Sequence, residues 1–159
     1  MSSPHDPHPG DELKVQVRKQ FASRNGAATQ FSVDADFAVP TGFTILFGAS
    51  GAGKTTLLDC IAGLQTPESG RIEIGGNVLF DADSRVDLPP NRRAIGYLLQ
   101  SLALFPHMTV RQNVQYGLHE LPSAERETRS REILESFRIG QLGGRRPAEL
   151  SGGERQRAA

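Results

Sequence analysis

One stretch limits the possible folds of this chain more than any other: FTILFGASGAGKTTLLDCIAGL, Phe43 to Leu64. It opens as a short apolar run, Phe43 to Phe47, passes through a glycine-rich turn, and continues in a helical pattern from Lys54 to Ala62 that closes at Gly63. A short run without alternation is what a central strand covered on both faces looks like. A strand leading at once into a helix makes the core α/β rather than all-β.

The turn carries chemistry of its own. GASGAGKTT, Gly48 to Thr56, fits G-x-x-x-x-G-K-[ST] at Gly48, Gly53, Lys54 and Thr55. Gly48, Gly51 and Gly53 allow backbone angles that a side chain would forbid, so successive amides can turn inward as a concave anion nest. Lys54 places a cation against β- and γ-phosphates, the Thr55 hydroxyl suits Mg²⁺, and Thr56 can hydrogen-bond the α-phosphate. Ala49, Ser50 and Ala52 complete the loop and join the candidate set. The bare alternative is a glycine-rich turn with an incidental lysine. Spacing and setting together favour a nucleoside triphosphate site with Mg²⁺.

Around this core, the pattern predicts two half-buried strands upstream, Leu13 to Lys19 and Phe31 to Val39, with Asn25-Gly26 as the hairpin point. Downstream it predicts short strands at RIEI and NVLF, a polar loop at DADSRVDLPPNRR, and a strand AIGYLL, Ala94 to Leu99, ending at Gln100. Thr109 is a helix N-cap with Val110, Val114 and Leu118 on one face. A second helix spans about Ser123 to Phe137, with Ile133, Leu134 and Phe137 as its apolar stripe. Residues 1–11 read as a disordered leader, and residues 12–159 as one domain.

The final residues, ELSGGERQRAA, open another helix. Ser151 with Glu154 is the capping-box pattern, and Gly152 and Gly153 leave the first turn bare. Its amides and dipole make an anion site. From these residues alone, an ordinary capped surface helix is the better explanation of the pattern.

Composition narrows the setting. Formal net charge is zero, which argues against a broad attraction to nucleic acid or anionic lipid. The single cysteine, Cys60, permits no internal disulfide and fits a reducing compartment. No apolar run approaches a membrane span.

LSGGERQR, Leu150 to Arg157, resembles the signature motif of ATP-binding cassette (ABC) ATPases, and from Leu13 onward nearly the whole chain is similar to that family. Its ILFGASGAGKTTLL, GRIEIGGNVLFD and LPPNRRAIGYLLQSLALFPHMTVRQNVQYGL phrases are most like the ATPase subunits of bacterial importers, and among those the molybdate type. Sulfate, iron and polyamine importers share most of these phrases. The resemblance implies a P-loop NTPase core with an antiparallel β subdomain and a helical subdomain. It implies a head-to-tail dimer in which Ser151, Gly152 and Gly153 meet the ATP of a second ATPase subunit. Gln100 takes the place of the glutamine that orders Mg²⁺ and the attacking water. Phe21 takes that of the aromatic that stacks on adenine, with Phe31 and Phe37 as alternatives. Leu104 to Val110 falls where such subunits meet a membrane permease. A substrate-binding protein outside the membrane is then an indirect partner, and the location is the cytoplasmic face of the bacterial membrane. The family also needs an apolar strand ending in Asp, then a Glu and a His, after the signature helix. Residues 1–159 hold none of these, so the expectation is an N-terminal part of a longer ATPase, with the C-terminal part of the domain missing. A soluble ABC protein acting on DNA or ribosomes, and a nucleotide-binding module without catalysis, are the competing readings.

Overall fold

A computed structural model describes residues 12–21 and 31–159. The chain forms two compact units, Met1–Gly96 and Tyr97–Ala159. The expected leader and the Asn25-Gly26 hairpin point lie outside the described residues.

The first unit is built on an antiparallel sheet. Strands β1 (Leu13–Phe21), β2 (Phe31–Val39), β3 (Ser69–Ile74), β4 (Asn77–Asp81) and β5 (Val86–Asp87) lie in the order β2-β1-β3-β4-β5. Alternation sets the register. Val15 and Val17 of β1 and Val33 of β2 point inward and are buried, while Gln16 and Arg18 point outward. Gln16 Nε2 donates to Asp36 (3.0 Å) and Arg18 pairs with Asp34 (3.0 Å) across the strands. These exposed pairs contribute little individually, but a one-residue slip would bring the valines to the surface. Helix α1 (Lys54–Ala62) lies on the inner face. Its Leu57, Cys60 and Ile61 pack with Val15, Val17, Val33, Ile72, Leu79 and Phe80 into one core. Cys60 is buried, and loss of water around it pushes its thiol pKa up, so it behaves as a small apolar residue.

The second unit is helical. It comprises α2 (Val110–Tyr116), α3 (Ser123–Ser136) and α4 (Gly152–Ala158) around Val110, Leu134, Ile139, Leu142, Leu150 and Ala158. Thr109 caps α2 through a full capping box with Gln112. Arg111 and Gln115 of α2 both bond Glu127 of α3, at 2.8 Å each.

Several expectations need correction. Phe43–Phe47 and Ala94–Leu99 form no strand. A strand exists only if a neighbour accepts its hydrogen bonds, and no described segment lies in register with either. Phe43, Ile45 and Phe47 are exposed as a result, and Leu98 with them. The loop at 81–93 is not wholly irregular, since β5 pairs with β4 inside it. Helix α2 stops before Leu118. Phe137 caps α3 and is 54% exposed rather than part of its buried stripe, which holds Leu134, as expected, with Ser130.

Candidate functional site

The glycine-rich loop meets α1 at a residue with no freedom to vary. Gly53 is the N-cap, at φ +87° in the left-handed region. A Cβ there would sit 2.4 Å from Val33 Cγ2 and 3.1 Å from Phe31 Cζ. The loop is thus pressed against β2, and only glycine meets both the angle and the space. Gly51 is also left-handed, at φ +81°. No side chain caps α1. Its first-turn amides therefore remain available as donors at the positive end of the helix dipole.

Phe31, Ser50, Gly51, Gly53, Lys54, Thr55 and Thr56 line one cleft of about 320 Å³. Lys54 Nζ reaches back over the loop and donates to the carbonyls of Gly48 (2.8 Å) and Ala49 (2.6 Å). Ala52 N closes the loop on Ala49 O at 3.2 Å. Chemically, the cleft offers bare amides, one ammonium group and three hydroxyls, a donor set suited to a polyphosphate.

The aromatic wall comes from one of the alternative positions. Phe31, not Phe21, lines this cleft. The two residues face each other in the β1–β2 register, with ring centroids 5.8 Å apart. Lys19 Nζ lies 5.8 Å from the Phe21 ring. The sequence signal was present in the alternation of β2, but that same alternation made Phe31 look like core.

Gln100, Ser151, Gly152 and Gly153 belong to the second unit. Gln100 is exposed in a turn and shares a cavity of about 600 Å³ with Leu102, Leu104, Gly152 and Arg155. Leu102 and Ala103 beside it are left-handed, at φ +64° and +45°, a strained backbone for residues with side chains. The capping box at Ser151 forms as its spacing predicts. Ser151 N donates to Glu154 Oε2 (2.7 Å), and Glu154 N donates to Ser151 Oγ (3.4 Å). Those bonds hold the Glu154 pKa below the usual glutamate value, with Arg145 and Arg157 adding to the effect. Open space surrounds Gly152, and only the tip of Arg157, at 3.7 Å, would approach a Cβ on Gly153.

Among the described residues, no group of three His, Cys, Asp or Glu could hold a metal ion. No helix among them is long and apolar enough to cross a membrane.

Comparison with known proteins gives these geometries a context. The family model described as ABC transporter matches residues 34–159. The molybdenum import ATP-binding protein ModC 1 of Azotobacter vinelandii is 43% identical over 150 residues, which is 94% of this chain and 40% of that protein. ModC of Brucella suis is 50% identical over 148 residues, covering 92% of this chain and 39% of its own length. ModC of Rhodospirillum rubrum is 47% identical over 123 residues, 77% of this chain and 33% of that protein. The chain thus spans no more than 40% of the length of these relatives. In fold it is similar to the ATP-binding cassette MJ0796, solved as a dimer in a post-hydrolysis state bound to ADP and Pi. The TM-score is 0.71 at 24% identity, over 92% of this chain and 66% of that one. From the extent of the family match and the identity to these relatives, the chain belongs to the ABC transporter family.

Proposed function

We propose that this chain carries the ATP-binding part of an importer ATPase, with molybdate or a similar oxyanion as cargo. The observation that supports it most is the cleft at Gly48–Thr56, where an uncapped helix start, a loop pressed flat by Gly53 and the Lys54 ammonium converge. The cargo assignment rests on the relatives' names as molybdenum import proteins.

In this reading the loop amides and Lys54 hold the β- and γ-phosphates, and Thr56 holds the α-phosphate. The Phe31 ring, backed by Phe21, is the wall against which an adenine would stack. Thr55, whose exposed hydroxyl sits on the cleft, would hold Mg²⁺ there, and the family resemblance assigns Gln100 as a further ligand. With few protein carboxylates at hand, such an ion is held largely by phosphates, as Mg²⁺ commonly is. When bound it offsets phosphate charge. Ser151, Gly152 and Gly153 serve the γ-phosphate held by a second subunit. The remaining partners are integral membrane permease subunits and, indirectly, a substrate-binding protein, with the ATPase on the cytoplasmic face of the membrane. No nucleic acid partner is proposed. Phosphoryl transfer depends on positioning of water and metal. Residues 1–159 by themselves are therefore expected to bind ATP without turning it over.

The test is titration calorimetry of ATP against wild type and Lys54→Ala. Charge-assisted contacts to phosphate are the strong ones. The variant should bind at least about tenfold more weakly, roughly 1.4 kcal/mol. Equal affinities in two folded proteins would defeat the assignment.

A further inference from the structure

Among the described residues of the first unit, Arg93 is a buried cation that nucleotide chemistry does not use. The Arg93 side chain is 0% exposed, and its guanidinium is nearly saturated. Nε donates to Leu88 O (2.7 Å), Nη1 to Cys60 O (2.8 Å) and Ile61 O (2.9 Å), and Nη2 to Asp87 Oδ1 (2.8 Å). Cys60 and Ile61 belong to the last turn of α1, and Cys60 O also accepts from the N–H of the C-cap Gly63 (3.2 Å). Leu88 and Asp87 belong to the edge of the sheet at β5. Asp87 is held in turn by Thr66 Oγ1, at 3.0 Å. Gly63, the C-cap of α1 at φ +79°, leaves the space the guanidinium fills, since a Cβ there would lie 2.5 Å from Arg93 Nε.

We propose that Arg93 is a positioning residue for the nucleotide cleft: it clamps the C-terminal end of α1 to the sheet edge and so fixes the helix whose opposite end carries Lys54, Thr55 and Thr56. The inference rests on the nucleotide reading above. A planar fork that joins helix carbonyls to a strand does two things a point charge cannot. It complements the negative end of the helix dipole, and it sets the direction of the helix. Helix α1 has nine residues and is roughly 13 Å long. A tilt at Ile61 therefore displaces the first-turn amides.

The experiment uses the full-length protein and measures ATP affinity by calorimetry, well below the melting transition, with amide exchange across Lys54–Ala62. Arg93→Met should bind ATP at least fivefold more weakly and lose protection in α1. Arg93→Lys keeps the charge without the fork and should fall between Met and wild type. If Arg93→Met does not fold, Gly63→Ala supplies the test. It keeps the arginine but drives it off its carbonyls, and it should weaken ATP binding in the same direction. Leu134→Ala controls for general loosening, because it opens the core of the other unit and should leave ATP affinity within twofold. An equal loss in Leu134→Ala, or wild-type affinity in folded Arg93→Met or Gly63→Ala, would overturn the proposal. Lys54→Ala, run alongside, separates the two failures. If it weakens ATP binding while the Arg93 variants do not, only the clamp is wrong. If Lys54→Ala has no effect either, the nucleotide reading fails first.

Discussion

Gly53 concentrates the constraints of the cleft in one residue. Its left-handed backbone would cost an L-residue about 1–2 kcal/mol before any contact is considered. A methyl group would then overlap Val33 Cγ2 at 2.4 Å. Gly53→Ala should therefore lower unfolding free energy by more than about 1–2 kcal/mol in denaturant titration. It should also weaken ATP binding, because β2 and the loop can no longer touch. Unchanged stability would mean that the loop has a different path. Glu154 makes a second prediction at this scale, on pH. Its folded pKa is depressed, chiefly by the Ser151 backbone N–H it accepts. The stabilisation is thus fully present above the ordinary glutamate value and is lost as pH falls through the lower folded value. A carbon-detected titration of the Glu154 carboxyl should give a midpoint below the ordinary one. In Glu154→Gln the start of α4 should no longer loosen over that acid range. A midpoint at or above the ordinary value would remove the capping box as its cause.

Elements differed in how far the sequence revealed them, and the difference is physical. Helix α1 and the start of α4 are specified locally. Gly53 and Gly63 bound the first, Ser151 and Glu154 open the second, and both lie where the pattern puts them. Strands β1 and β2 are specified by alternation and by pairing with each other. Phe43–Phe47 and Ala94–Leu99 are different, since a strand without a partner has no reason to extend, however apolar its residues. Phe31 stood only as an alternative to Phe21 for a related reason: periodicity gives the face of a residue but not what stands at the end of the strand. Arg93 sat in a polar loop with nothing to mark it as buried. The unpaired segment leads to a prediction. Phe43 is 109% and Phe47 95% exposed, so neither contributes packing, and substitutions at such positions usually stay within about 0.5 kcal/mol. Phe43→Ser with Phe47→Ser should leave the melting temperature of the 159-residue polypeptide nearly unchanged. It should reduce self-association in sedimentation velocity, since apolar surface of this kind drives aggregation. A clear fall in melting temperature would show that the segment is packed.

At the scale of the whole molecule, the two parts of the proposed catalytic arrangement lie in different compact units. The phosphate cleft is lined entirely by residues of Met1–Gly96, while Ser151, Gly152 and Gly153 belong to Tyr97–Ala159. The α4 start is already capped by its own Glu154, Gly152 faces open space, and only the tip of Arg157 lies near Gly153. On the proposed reading, Ser151, Gly152 and Gly153 serve the γ-phosphate held by a second copy. Gly153→Asp adds bulk and negative charge where, on that reading, a phosphate approaches. In the full-length protein it should leave ATP binding to the monomer nearly intact, yet block nucleotide-driven dimerisation and abolish hydrolysis. Lys54→Ala should abolish hydrolysis for the opposite reason, by failing to hold the nucleotide. The two inactive proteins are then mixed. In a mixed dimer, one composite site pairs the intact loop of the Gly153→Asp subunit with the intact signature of the Lys54→Ala subunit. The other site carries both defects. Partial ATPase activity should therefore reappear in the mixture and rise with the fraction of mixed dimers. If each signature served the loop of its own chain, every site would keep one defect, and the mixture would stay as inactive as its components.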